Sequence, residues 1–174
     1  MKNIFKKYYW IFVSVFIVLL DQISKYLIVS NFDYQKKSGV ITGFFNIFYT
    51  HNEGIGLGML GNLGQVGKFI IIAVTLLMIV AAIIALFRDW FTHPLATIGL
   101  SFIIGGGIGN LIDRVVLRYV IDFLAFTIFG FDFWIFNVAD IFVTVGTGIL
   151  IVYLLFFFKE KSTTEEVNDA NPEL

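Results

Sequence analysis

Two short blocks carry aspartates in strongly apolar surroundings: VIDF, with Asp122, and FNVAD, with Asp140. An ionisable group inside or at the edge of a membrane-length apolar run is expensive and needs a reason. Asp140 has Asn137 three positions before it, on nearly the same face of a helix. Two carboxyl groups held close together cannot both ionise comfortably, so they tend to share one proton. The ionised member can take a proton from an attacking water while the protonated member donates toward a carbonyl oxygen or a leaving nitrogen. That is the acid–base logic of aspartic peptidases. Spacing alone leaves transport, acyl transfer and plain helix packing open as other readings of the same acids.

Further polar residues surround this pair in sequence. Asp21 and Lys25 stand four apart on one helix face. They read either as a self-neutralising pair that helps Lys25 snorkel outward or as braces at the mouth of an active site. In GGGIGNLIDR, residues 105–114, Gly105 and Gly109 give a small-x-x-x-small spacing that lets another helix approach the backbone closely. Asn110, Asp113 and Arg114 then gather near one end of the segment. Asp113 and Arg114 fit interfacial anchoring, or hydrogen bonding that fixes a catalytic neighbour. There is no cysteine, and His51 and His93 lie far apart, so no metal-ligand spacing is present and no cofactor is expected. With 12 Lys+Arg against 13 Asp+Glu, no basic excess is left for nucleic acid.

These residues must be positioned by an apolar scaffold. Of the 174 residues 58% are hydrophobic and only 14% charged, too few charges to cover a soluble surface. The chain is therefore expected to be an all-α integral membrane protein. Crossing about 30 Å of hydrocarbon takes roughly 20 apolar residues in a helix, and four segments come close, at about 8–28, 69–87, 94–112 and 137–158. The first reads as a signal-anchor helix, since no small-x-small cleavage site follows it. Lys2, Lys6 and Lys7 precede it and orient it with both chain ends in the cytoplasm. Residues 29–68 and 113–136 then form two outer loops, which marks the non-cytoplasmic face as the working face. In the first loop Val40–Tyr49 reads as strand, and with the Gly-punctuated Ile55–Leu63 it suggests a small sheet lying on the lipid surface. Residues 1–161 make one four-span domain, and 162–174 read as a polar, disordered cytoplasmic tail.

The chain closely resembles the lipoprotein signal peptidase (signal peptidase II) family from DQISKYLI at Asp21 to about Gly148. Five blocks carry the resemblance in order: DQISK, with Asp21 and Lys25; FNIFYTHNEGIGLG, with Asn52 and Gly54; GGGIGNLIDR; VIDF; and FNVAD. The resemblance implies a four-span enzyme of the bacterial cytoplasmic (inner) membrane, with its active site near the extracytoplasmic face. It also implies an activity: removal of the signal peptide from diacylglyceryl-modified prolipoproteins, cut just before the lipidated cysteine. Asp122 and Asp140 map to the catalytic dyad, with no metal. Asp21, Asn52, Asn110, Asp113, Arg114 and Asn137 map to residues that brace the dyad or meet substrate. Prolipoproteins and membrane lipids are the expected partners, and a monomer the expected state. The sequence departs from the family where Arg118 stands in place of a common Gly, and where Gly56 and Leu57 replace a small Ala and an aromatic. Arg118 reads as a lipid-headgroup contact or as a plain interfacial anchor.

The main alternative is a small transporter or channel that uses the acids as a proton or cation relay. It predicts acids spread through the membrane depth and repeated halves. The acids here cluster toward one face and no internal repeat is visible. A catalytically dead scaffold would fit a lost acid at either dyad position, and a presenilin-type peptidase would carry a GxGD signature, which is absent.

Overall fold

The computed structural model describes residues 2–54, 64–128 and 131–158. Its elements run α1 (Lys2–Asn31), β1 (Lys37–Ile41), β2 (Phe45–Asn52), α2 (Gly64–Phe87), α3 (Pro94–Val116), β3 (Val120–Ile128), β4 (Phe131–Phe136) and α4 (Val138–Phe156). Each of the four helices is long and apolar enough to cross a membrane. The second apolar stretch of the first loop, Ile55–Leu63 with Gly56 and Leu57, lies outside the described residues, as does the 162–174 tail.

Helix α3 is the element that α1, α2 and α4 pack against. Its glycines explain why. A Cβ on Gly105 would lie 2.8 Å from Ile17 Cβ and from the Ser14 carbonyl oxygen of α1, and one on Gly106 would collide with the Ala139 carbonyl oxygen of α4. Without those side chains the three helices approach backbone to backbone, which lipid-embedded packing favours. Trp10, Ile79, Leu86, Leu100 and Ile104 form an apolar core between α1, α2 and α3. The outward faces are just as apolar: Leu77 is 69% exposed, Leu155 72% and Phe156 75%. Such surfaces suit hydrocarbon rather than water.

Strands β1 to β4 make one antiparallel sheet in sequence order. The expected β element of the first loop is present as β1 and β2, and the sheet extends past it, because β3 and β4 come from the second loop. The apolar runs of 120–128 and 131–136 flank Gly130, a hairpin signal that the abundance of membrane-like apolar residues hid. The sheet joins the helices at the end where α1 and α3 finish and α2 and α4 begin. Ile28 of α1 packs there with Tyr49, Ile121 and Phe123.

Helix α3 ends, and helix α4 begins, with a defined cap. At the end of α3 the Leu117 N–H donates to the Asp113 carbonyl at 2.7 Å, and Arg118 then turns left-handed at φ +71°. A residue with a Cβ pays about 1 kcal/mol or more for that conformation. At the start of α4, Asn137 and Asp140 form a reciprocal capping box.

Candidate active site

Asp122 sits in β3 opposite Thr50 of β2, beside an irregularity in the β2–β3 register between Ile47 and Thr50. Such irregularities re-aim side chains. Asp140 is in the first turn of α4. The two acids are thus presented by a strand and a helix. Each of their four carboxylate oxygens receives one donor. Asn137 Nδ2 donates to Asp122 Oδ1 at 2.6 Å and Asn52 Nδ2 to Asp122 Oδ2 at 2.8 Å. Asn110 Nδ2 donates to Asp140 Oδ1 at 2.7 Å, and the Asn137 N–H to Asp140 Oδ2 at 3.2 Å. Asn137 touches both acids, since its Oδ1 also accepts from the Asp140 N–H at 3.0 Å. Asn52 Oδ1 in turn accepts from the N–H of Gly54, whose φ of +86° suits glycine.

A second layer holds the backbone just before each acid. Asp21 Oδ1 accepts from the N–H of Ala139, next to Asp140, at 3.0 Å. Asp113 Oδ2 accepts from the N–H of Ile121, next to Asp122, at 3.1 Å. Lys25 joins these two braces: its ammonium lies 2.8 Å from each carboxylate and donates to Asn110 Oδ1 at 3.0 Å. Lys25 is only 2% exposed. It does not snorkel, because three buried acceptors satisfy its three protons more fully than an interface would. Gln22 completes the layer, donating to Asp113 Oδ1 at 3.0 Å and to Asp21 Oδ2 and the Gly109 carbonyl at 3.2 Å. Arg114 Nη1 donates to the Asn110 carbonyl at 3.4 Å. Among the described residues no buried side-chain nitrogen or oxygen lacks a partner.

Asp122 and Asp140 open onto a groove of about 1100 Å³ whose walls include His51, Trp134, Ile141 and Thr144. One side is polar and the other, along β4 and α4, is largely apolar. Burial pushes the Asp122 carboxyl up to about 6, with the Asn52 amide opposing and the Asp140 charge adding to the shift. Asp122 therefore keeps its proton to a higher pH than an ordinary carboxyl does. Burial also lowers His51, whose Nε2 lies 2.9 Å from the Tyr49 hydroxyl and whose ring stacks on Tyr119 at 3.7 Å. Among the described residues no three His, Cys, Asp or Glu side chains gather as a metal site.

All ten residues singled out from the sequence (Asp21, Lys25, Asn52, Gly54, Asn110, Asp113, Arg114, Asn137 and the two acids) come into or directly against this network. Asp113 is buried and hydrogen-bonded, so interfacial anchoring does not describe it. Gln22 escaped the sequence reading, although an amide beside Asp21 in an apolar run was a usable signal. The Ala139 and Ile121 amides carried no signal at all, being backbone.

A family model described as Signal peptidase (SPase) II matches residues 13–156. A lipoprotein signal peptidase of Symbiobacterium thermophilum is 37% identical over 145 residues, covering 83% of this chain and 93% of that protein. The lipoprotein signal peptidase of Brucella ovis is 40% identical over 145 residues, covering 82% and 86%. Two solved structures described as bacterial membrane enzymes are also similar. One gives a TM-score of 0.75 at 32% identity, covering 86% of this chain and 94% of the other. The second gives 0.74 at 29%, covering 95% and 93%.

Proposed function

The chain belongs to the signal peptidase II family, and from that premise we propose that it is an aspartic endopeptidase acting through Asp122 and Asp140. It is a bacterial multi-pass membrane protein and a lipoprotein signal peptidase. The finer reading is that it cuts diacylglyceryl-modified prolipoproteins immediately before the lipidated cysteine. The observation that carries the reading is the shared grip of Asn137 on both acids at the wall of one groove.

In the reacting form Asp122, whose carboxyl is raised by burial, holds the proton, and Asp140 serves as the base. A water between them attacks the scissile carbonyl carbon. Asp140 takes a proton from that water as Asp122 gives its own to the carbonyl oxygen, leaving a tetrahedral diol. The C–N bond then breaks as Asp140 passes its proton to the nitrogen and a diol hydroxyl returns one to Asp122. The products are a peptide carboxylic acid and the free amine of the lipidated cysteine, and the dyad is back where it began. Arg114, one turn beyond Asn110, orients groups or substrate and moves no proton. The apolar wall along α4 suits a substrate entering from lipid, and the polar wall admits water.

A transmembrane relay would need acids at successive depths. Here Asp21, Asp113, Asp122 and Asp140 belong to one connected network, which favours the peptidase reading.

The test is cleavage of a lipidated prolipoprotein by purified protein. Asp122→Asn and Asp140→Asn should each lose about 10²–10⁴ in rate, the usual weight of general acid–base catalysis, yet still fold and bind lipopeptide. A chelator should change nothing. Full activity in either variant would overturn the assignment.

A further inference from the structure

A second cleft opens beside the proposed active site, between the end of β2, the first turns of α2 and the end of α3. Asn52 and Glu53 belong to the walls of both. Three cations line the second cleft, Lys68, Arg114 and Arg118, against one acid, Glu53. That acid is already engaged, because Lys68 Nζ lies 2.7 Å from Glu53 Oε2. Of the two guanidinium groups, Arg114 faces the charges of Asp140, Asp122 and Asp113, and Arg118 is left unused. Arg114 makes one long bond to the Asn110 carbonyl. No hydrogen bond or ion pair engages Arg118 among the described residues.

Arg118 is also where the backbone argues against it. Its φ of +71° is the left-handed turn that ends helices, where glycine is the favoured residue. A residue held in a strained conformation points to a function for its side chain. An arginine there brings a planar fork of donors to a cleft with no free acid to meet it, and that fork matches a phosphate. The rest of the wall is made by the amides Asn52 and Gln65 and by the apolar Phe69 (61% exposed), Ile71 and Ile72. The cleft offers about 30 Å³, room for roughly two waters and hence for phosphate oxygens but not for a whole headgroup. It lies where the apolar helices end, the level at which lipid phosphates sit.

We propose that Arg118, with Lys68, binds the phosphate of an anionic phospholipid, whose acyl chain lies along Phe69 and Ile72. The diacylglyceryl thioether of the proposed substrate carries no phosphate. The bound lipid is therefore a resident neighbour and not a competitor for the groove.

The test is thermal unfolding of the full-length protein in a neutral detergent, titrated with phosphatidylglycerol, phosphatidylcholine or inorganic phosphate. Phosphatidylglycerol should raise Tm more than phosphatidylcholine. Arg118→Gly and Arg118→Gln should each weaken its apparent affinity about fivefold, the weight of one basic side chain near an anionic surface. The Gln variant keeps the strained backbone and the Gly variant relieves it, so a shared loss belongs to the charge. Lys68→Gln should act in the same direction, and Lys36→Gln, outside the cleft, should do nothing. Equal stabilisation by inorganic phosphate, lost in the same variants, would keep the anion site but assign it to a free ion. A phosphatidylglycerol response unchanged in both Arg118 variants would overturn the proposal.

Discussion

Asn137 is the residue on which most depends. It caps α4, grips Asp122 and reaches Asn110 with one amide. Asn137→Ala should remove the cap, costing about 1 kcal/mol of stability, and should lower kcat by about 10²-fold through a misplaced acid pair. Asn137→Ser separates the two effects. The hydroxyl can restore the cap and the melting temperature, but it cannot span to Asp122, so the rate should stay low. Recovery of both in the Ser variant would show that capping alone was at stake. The Asp122 carboxyl sets a second expectation. Its pKa is raised from 3.8 to about 6, so the fold favours the protonated form. That stability is present in full below 3.8 and is lost as pH rises through 6. Thermal unfolding of the parent and of Asp122→Asn should therefore diverge in favour of the variant between pH 4 and pH 8. The divergence should be on the order of 3 kcal/mol. A gap constant with pH would mean that Asp122 does not titrate in the folded protein. Because catalysis needs the same proton, kcat/KM should fall on the alkaline side as Asp122 ionises.

Among the elements, the decisive contact is α3 against the start of α4. A methyl group at Gly106 would meet the Ala139 backbone, which cannot rotate aside. Gly106→Ala should destabilise by about 1–3 kcal/mol and depress cleavage as well, since it pushes on the turn that carries Asp140. Gly148→Ala, on the same helix pair with open space around it, should be neutral or stabilising by about 0.5–1 kcal/mol. Circular dichroism melts with parallel cleavage assays would check both. The same region shows what could be read from sequence. The four spans were legible because helix length and hydropathy are set by the bilayer. Asp21, Lys25, Asn110, Asp113, Arg114, Asp122, Asn137 and Asp140 were legible because each is anomalous in an apolar run, whereas Asn52, in a polar stretch, came only from the family resemblance. Strands β3 and β4 were not, since a strand buried among aromatics looks like more membrane helix at short range. Nor was the fate of Lys25, because snorkelling and burial use the same residue. Only the approach of Asp113, 88 positions away, decides between them.

For the whole molecule, the sheet and both acids lie at one end of the four helices, and the α2–α3 turn lies at the other. With Lys2, Lys6 and Lys7 before the first span, the sheet end should face away from the cytoplasm. A cysteine placed at Lys36 should react with an impermeant thiol reagent in intact cells, and one at Trp90 only after permeabilisation. The reverse pattern would invert the orientation.

The chain order of the site has a consequence for biosynthesis. Asn110, Asp113, Arg114, Asp122, Asn137 and Asp140 all arrive between α3 and the first turn of α4, whereas Asp21, Lys25 and Asn52 wait from earlier. On the proposed assignment, the paired acids do not exist until the last helix has left the ribosome and entered the bilayer. Until then the nascent chain is hydrolytically silent, and a product truncated before residue 140 stays so.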